Sequence, residues 1–397
     1  MRIALWNGSG LDNVGDRMLD WINRRELAAR LPGAEFVTFC PWTDGREVRH
    51  LRIDRNGTWE GAGAFDAIVI GGGALLLGPP FAHPGLQTYF LGPYPARFVD
   101  TCPVIWNAIC TDGQFLAPLF PSWSDYVKEA ARRITFKTVR NQQSCEFLQA
   151  CGVDDAVSVV PDPAVLLSQP VRREYANRPS RLGVLIARPV FPRSFLTLMS
   201  DTAARDADCA NSDVVLAPSG ESGTDFDELL FAKRFAQLLT PLVESGLTVE
   251  IGGLGRMYGD VDLARQVCAM VSGATLVEFH DSVGNDACSW ARSLDCMIAS
   301  RLHGCILALL AATPLVAADF GLSSGTGTSK IREFLATSVG LSGYVSATDL
   351  LSGVYQLKPL ISAACNHAQP MSEVHAQLHQ QASTHFDCMA EHIRSKR

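Results

Sequence analysis

The chain has 397 residues, which is more than a single hydrophobic core usually supports, so we expect two domains. Hydrophobic residues make up 47% and charged residues 19% of the sequence, a balance that indicates a globular protein and excludes long disordered regions. The formal net charge is -7 and no block of Lys and Arg stands out, so the composition argues against a nucleic-acid-binding protein.

Short runs rich in Val and Ile alternate with longer amphipathic stretches, which is the pattern of repeated βα units around a parallel sheet. Six strands are predicted in the first half of the chain: Ile3–Trp6, Glu35–Phe39, Asp66–Ile70, Pro103–Ala108, Ile134–Val139 and Val157–Val160. Helices are predicted between most of them: Asp16–Arg30, Asp125–Arg133 and Ser144–Cys151.

A domain boundary is predicted at Gln169–Arg181, which holds two prolines, five charged residues and little apolar content. A second series of strands follows: Leu182–Ala187, Asp213–Ala217, Thr248–Ile251, Thr275–Phe279, Leu294–Ala299 and Pro314–Ala318. The helices predicted in this half are Asp225–Ser245, Asp262–Ser272, Gly284–Ser293 and Cys305–Ala312. From Lys330 onward the sequence predicts helices without strands.

The expected fold class is therefore α/β, with two Rossmann-like lobes built on parallel sheets and a helical C-terminal tail. We place the N-terminal lobe at 1–170, the C-terminal lobe at 171–340 and the tail at 341–397. By analogy with other two-lobed architectures, the tail is expected to pack back on the first lobe.

Twelve cysteines are scattered through the chain without a CxxC pair or a Cys/His spacing of the zinc type. Together with the lack of a signal peptide, this indicates reduced thiols in a cytoplasmic protein, either free or peripheral at the inner face of the membrane. The longest apolar run, Cys305–Phe320, is interrupted by Thr313 and Pro314 and is too short for a transmembrane segment. The pair His375 and His379 on the tail lacks a third ligand and is interpreted as a solvated helix face rather than a metal site.

The run Ser300-Arg301-Leu302-His303 places a fixed cation and a titratable imidazole two residues apart, on the predicted turn between a strand and a helix. In an open parallel sheet this turn lies at the carboxyl edge, where ligands bind. The fork of Arg301 and the N–H groups of the following helix would hold a carboxylate or phosphate. The alternative for His303 is a structural role: a histidine at a strand end whose hydrogen bonds are made within the protein.

Three further motifs fall at or just after the ends of predicted strands: Asn13-Val14-Gly15-Asp16, Gly71-Gly72-Gly73 and Arg140. If the carboxyl edges of the two lobes face each other, all four motifs line one cleft. Each of the three has a structural alternative. Asp16 would be an N-cap rather than a carboxylate that takes a proton from a hydroxyl. The glycines would form a tight turn rather than a close approach to a ligand, and Arg140 would be solvated.

Two other residues support an anion site. Ser144 stands at the start of the helix after Arg140 and adds a hydroxyl and N–H groups there. Lys330 opens a helix after the Gly- and Ser-rich loop Gly321–Ser329, which could close over a bound phosphate.

Together these motifs resemble the polysaccharide pyruvyl transferase family. Its pattern is an N-x-G-D element, a glycine run, an R-D-x-x-S element, an S-R-L-H block and a later Lys. The chain shows it over roughly residues 1 to 340, as Asn13–Asp16, Gly71–Gly73, Arg140–Ser144, Ser300–His303 and Lys330. It departs from the pattern at Asn141, where an acidic residue is usual, and at Ala74 and Trp106–Ile109, where glycine is common.

The resemblance implies a GT-B-like fold with a central cleft, the acceptor on the N-terminal lobe and the donor on the C-terminal lobe. It also implies transfer of pyruvate from phosphoenolpyruvate to two hydroxyls of a sugar, which is part of a cell-surface glycan or a lipid-linked precursor. His303 and Asp16 would be the catalytic acid and base, and no metal or organic cofactor is implied. The implied substrate-binding residues are Arg140, Arg301, Asn13, Gly71, Gly72, Gly73, Ser144, Leu302 and Lys330.

Two other functions are weighed. A GT-B glycosyltransferase that uses a nucleotide sugar commonly carries a Glu pair in the second lobe, and 261–312 supplies none. A non-catalytic glycan-binding member would be expected to lose Arg140, Arg301 or His303, and all three are present.

Overall fold

The computed structural model describes residues 1–7, 13–40, 49–50, 65–76, 102–111, 125, 127–128, 131–132, 134–153, 156–173, 179–188, 227–256, 258–280, 284–319, 329–353, 356–366 and 371–396. Over these residues the chain forms two parallel β-sheets with helices packed against them. Two predicted segments fall outside them: the strand Asp213–Ala217 and the loop 321–328. The helix Asp125–Arg133 is described only in part.

The first sheet has seven described strands, and each pairs with its neighbours in parallel. They are β1 Arg2–Trp6, β2 Glu35–Cys40, β3 Arg49–His50, β4 Ala67–Leu76, β5 Val104–Thr111, β6 Phe136–Val139 and β7 Ser158–Val159. Their order across the sheet is β3-β2-β1-β4-β5-β6-β7. This sheet with its helices is called the first lobe below.

The second sheet has six described strands, again all parallel. They are β8 Arg181–Leu185, β9 Thr248–Gly252, β10 Thr275–Val277, β11 Cys296–Ala299, β12 Leu315–Asp319 and β13 Tyr344–Ser346, in the order β10-β9-β8-β11-β12-β13. This sheet with its helices is called the second lobe. The prediction of no strand after Lys330 is wrong, because β13 adds an edge strand beside β12. Three residues are too few to show an alternating pattern.

The described helices are α1 Val14–Arg30, α2 Gln142–Ala150, α3 Glu228–Glu244, α4 Asp260–Met270, α5 Asn285–Arg292, α6 Leu302–Leu310, α7 Lys330–Thr337, α8 Ala347–Leu351, α9 Leu357–Asn366 and α10 Met371–Ser395. One buried cluster joins both lobes, since it includes Leu19 of α1, Ile306 of α6 and Phe386 of α10. A second cluster lies in the second lobe, where Phe235 of α3 packs near Ile251 of β9. None of the helices in these ranges is long and apolar enough to cross a membrane.

The C-terminal helix α10 packs on the first lobe. Arg30 at the end of α1 donates from Nε to Asp387 Oδ1 at 2.6 Å, and the Nε2 atom of His375 lies 2.9 Å from the carbonyl oxygen of Val165. His375 is fully buried, so its interpretation as part of a solvated face is wrong. Its imidazole fills a polar position between α10 and the 3-10 turn Pro163–Leu166.

The lobes also contact each other beside α1. The backbone N–H of Val14 donates to the carbonyl of Leu254 at 2.9 Å, and Asn13 forms an isolated antiparallel bridge with Gly255. Leu254 and Gly255 follow β9, whose carboxyl end therefore meets the N-terminus of α1. The carboxyl edges of the two sheets thus meet at the junction between the lobes, which is called the cleft below.

Candidate active site

Five of the predicted side chains come together in the cleft between the lobes. Asp16 interacts electrostatically with Arg140, Arg301 and Lys330, and His303 interacts with the same three cations. Arg140 belongs to the first lobe, whereas Arg301, His303 and Lys330 come from the second. The cluster therefore exists only where the two carboxyl edges meet.

Asn13, rather than Asp16, is the N-cap of α1. Its Oδ1 atom accepts a hydrogen bond from the backbone N–H of Gly15 at 3.0 Å, and its Nδ2 atom donates to Asp16 Oδ2 at 2.7 Å. Asp16 lies in the first turn, with its carboxylate in the cleft. Burial raises its pKa to about 6, although the bond from Asn13 and the nearby cations favour the charged form. A carboxylate with this pKa can exchange a proton near neutral pH.

The glycines Gly71, Gly72 and Gly73 lie inside β4, so the prediction of a βα turn is wrong. All three have positive φ angles, of 156°, 78° and 134°. A Cβ atom on Gly71 would overlap the backbone carbonyl oxygen of Asn107 on β5. Glycine at these positions thus lets β4 continue as a strand where it approaches β5 closely. The run of glycines serves the positive φ angles of this strand and does not mark a reversal of the chain.

Arg140 follows β6 directly and is buried rather than solvated, with 6% of its side chain exposed. Its Nη1 atom donates to Asp162 Oδ2 at 2.5 Å and its Nε atom donates to Cys110 Sγ at 3.0 Å. Burial alone would raise the pKa of Asp162, but the charges of Arg140 and His303 hold it below its usual value. Asp162 also caps the 3-10 turn through Ala164 N–H at 2.9 Å.

Asn141 is the N-cap of α2, and its Oδ1 atom accepts from the backbone N–H of Ser144 at 3.2 Å and from the Ser144 hydroxyl. Asn at the position where the family has an acidic residue preserves the cap without adding a negative charge. The backbone N–H of Gln143, one residue before Ser144, donates to Glu333 Oε1 on α7 at 3.1 Å. The helix terminus is already occupied by protein groups, and anion binding by Ser144 stays a prediction.

Arg301 is the N-cap residue of α6, so Leu302 and His303 lie in its first helical turn. The prediction that His303 sits on a turn before the helix is wrong, because the helix begins three residues earlier than Cys305. Arg301 forms a bidentate pair with Asp260, from Nε to Oδ2 at 2.8 Å and from Nη2 to Oδ1 at 2.7 Å. The ring of Tyr258 lies 4.9 Å from the guanidinium carbon.

His303 is the most constrained group of the cluster. A Cβ atom on Gly15 would overlap its Nδ1 atom, so the imidazole lies directly against the first turn of α1. Its Nε2 atom is buried, has no hydrogen-bond partner among the described residues and lies 4.0 Å from Asp162 Oδ2. Burial lowers its pKa to about 4; the cations of the cluster act in the same direction, and Asp162 opposes them. The ring is therefore neutral near pH 7.

Lys330 begins α7, after the cap Ser329, whose hydroxyl accepts from the backbone N–H of Arg332 at 3.0 Å. The predicted closure of the preceding loop over a phosphate lies outside the described residues.

Three residues of the cluster, Asp162, Tyr258 and Asp260, are absent from the predicted site. Asp162 comes two residues after the predicted strand Val157–Val160, so the same rule of strand ends would find it. Tyr258 and Asp260 lie several residues beyond β9, where no local signal separates them from other loop residues.

The fold is similar to that of solved GT-B enzymes. A crystal structure from Listeria monocytogenes, assigned as a UDP-N-acetylglucosamine 2-epimerase, is 12% identical over 100% of this chain and 97% of that chain, with a TM-score of 0.55. A second UDP-N-acetylglucosamine 2-epimerase structure is 11% identical over 100% and 96% of the two chains, with a TM-score of 0.51. These similarities confirm the GT-B-like arrangement of two lobes. In sequence, no curated protein matches the chain.

The family predicted from the motifs is confirmed independently. The sequence model described as polysaccharide pyruvyl transferase matches residues 13–209, a range that begins at the cap of α1 and includes the glycine run and Arg140. The motifs of the second lobe complete the cluster at the same cleft. Residues 13–209 of the chain thus match the polysaccharide pyruvyl transferase family.

Proposed function

We propose that this protein transfers pyruvate from phosphoenolpyruvate to two hydroxyls of one sugar in a cell-surface glycan or its precursor, forming a ketal and releasing phosphate. The observation that supports the proposal is the meeting of Arg140, Arg301 and Lys330 with Asp16 and His303 in one cleft. The donor carries a carboxylate and a phosphate, and these anions need fixed cations from more than one side.

The two arginines retain binding capacity for such a donor. Arg140 uses Nε and Nη1 on protein partners, and Arg301 uses Nε and Nη2. The remaining nitrogen of each, Nη2 of Arg140 and Nη1 of Arg301, has no partner among the described residues. Because the carboxylates of Asp162 and Asp260 fix both guanidinium planes, these nitrogens would meet the donor without reorganisation.

The reaction requires three proton transfers. A general acid protonates the methylene carbon of phosphoenolpyruvate, and a sugar hydroxyl adds to the neighbouring carbon as it becomes electrophilic. Phosphate then leaves with the bond that joined it to that carbon, and a second hydroxyl closes the ketal. One hydroxyl proton replaces the proton given to the methylene carbon, and the other leaves with phosphate. Negative charge grows on the departing phosphate, where Arg140, Arg301 and Lys330 would stabilise it.

We assign Asp16 as the base and His303 as the acid. Asp16 has a pKa of about 6 and is largely ionised above neutral pH, ready to accept a hydroxyl proton. His303 is neutral in the empty cleft, so its acid role requires that the bound donor charge it. A phosphate dianion near the ring favours the imidazolium and supplies that condition.

The test is release of phosphate from phosphoenolpyruvate with a panel of sugars, with mass spectrometry to detect the ketal. Arg140→Ala and Arg301→Ala should each abolish release. The matched control is Arg181→Ala, because Arg181 also pairs with a carboxylate, Glu250 at 2.5 Å, but at the start of β8 and far from the cleft edge. Nucleotide release from a nucleotide sugar would instead support a glycosyltransferase, and glycan binding with neither reaction would support a non-catalytic member.

A further inference from the structure

Tyr258 reaches the first lobe from the second. It lies between β9 and α4, in the segment whose Leu254 carbonyl accepts the N–H of Val14 at 2.9 Å. Its hydroxyl donates to Asp16 Oδ2 over 3.5 Å. The contact therefore joins a loop of one lobe to the first helical turn of the other, at the proposed base.

The two carboxylate oxygens of Asp16 are in different environments. Oδ2 accepts from Asn13 Nδ2 at 2.7 Å and from the Tyr258 hydroxyl. Oδ1 faces the glycine run, where a Cβ atom on Gly73 would lie 3.6 Å away, and it accepts no hydrogen bond from any residue the structure describes. One oxygen is held by the protein, and the other is left for a hydroxyl.

The Tyr258 ring is itself fixed. The guanidinium carbon of Arg301 lies 4.9 Å from its centroid, and Arg301 is locked by its bidentate pair with the fully buried Asp260. Burial and the charges of Asp16 and Asp260 raise the pKa of Tyr258, so the phenol stays protonated and acts as a donor. The hydroxyl cannot leave Asp16 without moving a ring that is stacked on a paired arginine.

We propose that Tyr258 is a positioning residue for Asp16: with Asn13 it holds Oδ2, so that Oδ1 is presented to the acceptor hydroxyl that loses its proton. This inference rests on the proposed function. Because the two side chains belong to opposite lobes, the base is oriented only while the lobes are together. The second lobe thus contributes to the acceptor half of the reaction as well as to donor binding.

The proposal predicts a measurable change in the pKa of Asp16. The charged groups that act on this carboxylate are Arg140, which follows β6, Lys330 of α7 and Arg301, the N-cap residue of α6. The titratable ring of His303 lies against the neighbouring Gly15. All of them remain in Tyr258→Phe, which also keeps the ring under Arg301. Loss of a donor to a carboxylate disfavours the ionised form. We expect the pKa of Asp16 to rise by up to about one unit, since the bond is long for its type.

Tyr344→Phe is the matched control. The Tyr344 hydroxyl also donates to a carboxylate, Asp319 Oδ2 at 3.0 Å, and its ring also stacks with an arginine, Arg332 at 5.8 Å. It differs from Tyr258 in lying on β13, away from Asp16. Both variants lose one phenol hydroxyl bound to an aspartate, so only an effect mediated by Asp16 separates them.

The experiment is a titration of carbon-13-labelled aspartate carboxyl groups by NMR, with Asp16→Asn to assign the signal, on wild type and both Phe variants. The expected result is a higher Asp16 pKa in Tyr258→Phe alone, and an acid limb of the pH–rate profile for phosphate release that moves up by the same amount. An unchanged Asp16 pKa in folded Tyr258→Phe, judged by circular dichroism, overturns the inference. If the wild type releases no phosphate with any sugar, the proposed function fails, and the NMR titration still decides the contact.

Discussion

Binding of phosphoenolpyruvate at pH 7.5 is expected to transfer about one proton from solvent to His303. In the empty cleft, burial holds the pKa of His303 at about 4 and the cations of the cluster act in the same direction. The imidazole is therefore almost fully neutral at pH 7.5. To become half charged there, it must gain about 3.5 pKa units, which corresponds to about 5 kcal/mol.

A phosphate dianion can supply this energy. Two unit charges at about 4 Å interact with about 4 kcal/mol at an effective dielectric constant of about 20, so a dianion contributes about 8 kcal/mol. This exceeds the requirement of about 5 kcal/mol, and the ring should charge as the donor binds. Asp162, 4.0 Å from Nε2, already opposes the lowering of this pKa in the empty cleft, and it continues to favour the imidazolium once the ring is charged.

Isothermal titration calorimetry measures the uptake directly. The observed enthalpy is compared in buffers with small and large ionisation enthalpies, and the slope gives the number of protons bound. His303→Gln should lose about one proton of uptake, whereas Asp16→Asn should keep it.

His392→Gln serves as the control for this measurement. His392 is a partly buried histidine whose Nε2 atom lies 2.9 Å from Thr135 Oγ1, outside the cleft, and its pKa is also lowered by burial. It should retain the wild-type uptake. Equal uptake in wild type and His303→Gln would refute the reasoning, because the donor would then bind without charging the proposed acid.

Two further outcomes follow from the same geometry. Asp16→Asn should raise the free energy of unfolding at pH 7.5 by about 3 kcal/mol while abolishing turnover. The sign follows because burial raises the pKa of Asp16 to about 6 in the folded protein, against 3.8 for an unperturbed aspartate. The buried charge costs stability above pH 6, and the gain should vanish near pH 4 in urea titrations. A pH-independent gain would contradict this origin. Gly15→Ala should lower phosphate release at least about 100-fold, although Ala favours a helix by about 1 kcal/mol, because the new Cβ displaces the His303 ring. Turnover at the wild-type rate would show that the ring needs no such support.

The positions of Arg140 and Arg301 could be predicted because each follows a short apolar strand. The carboxyl ends of parallel strands share one edge, so a residue that directly follows a strand is expected at the cleft. Their partners could not be predicted in the same way. Asp162 and Asp260 lie 22 and 41 residues from the arginines they bind, and such pairs are decided by tertiary packing rather than by local pattern.

The glycine run shows a different limit. Three glycines after Ile70 predict a turn, because positive φ angles are commonest there. In the structure those angles serve a strand, since β5 approaches so closely that its Asn107 carbonyl occupies the place of a side chain on Gly71. The sequence specifies the backbone angles, but the neighbouring strand decides whether they form a turn or an extension.

The pairing of both arginines with carboxylates bears on turnover as well as on binding. Unpaired, Arg140 and Arg301 would hold the phosphate product as firmly as the donor, and release would slow the reaction. Asp162 contacts Arg140 at 2.5 Å and lies 4.0 Å from His303. Its single carboxylate can therefore compensate the positive charge of either Arg140 or a protonated His303. In the proposed reaction, Asp162 would stabilise the imidazolium when the donor engages Arg140. Once the proton had gone to the methylene carbon, Asp162 would again compensate Arg140 and so weaken the hold on phosphate.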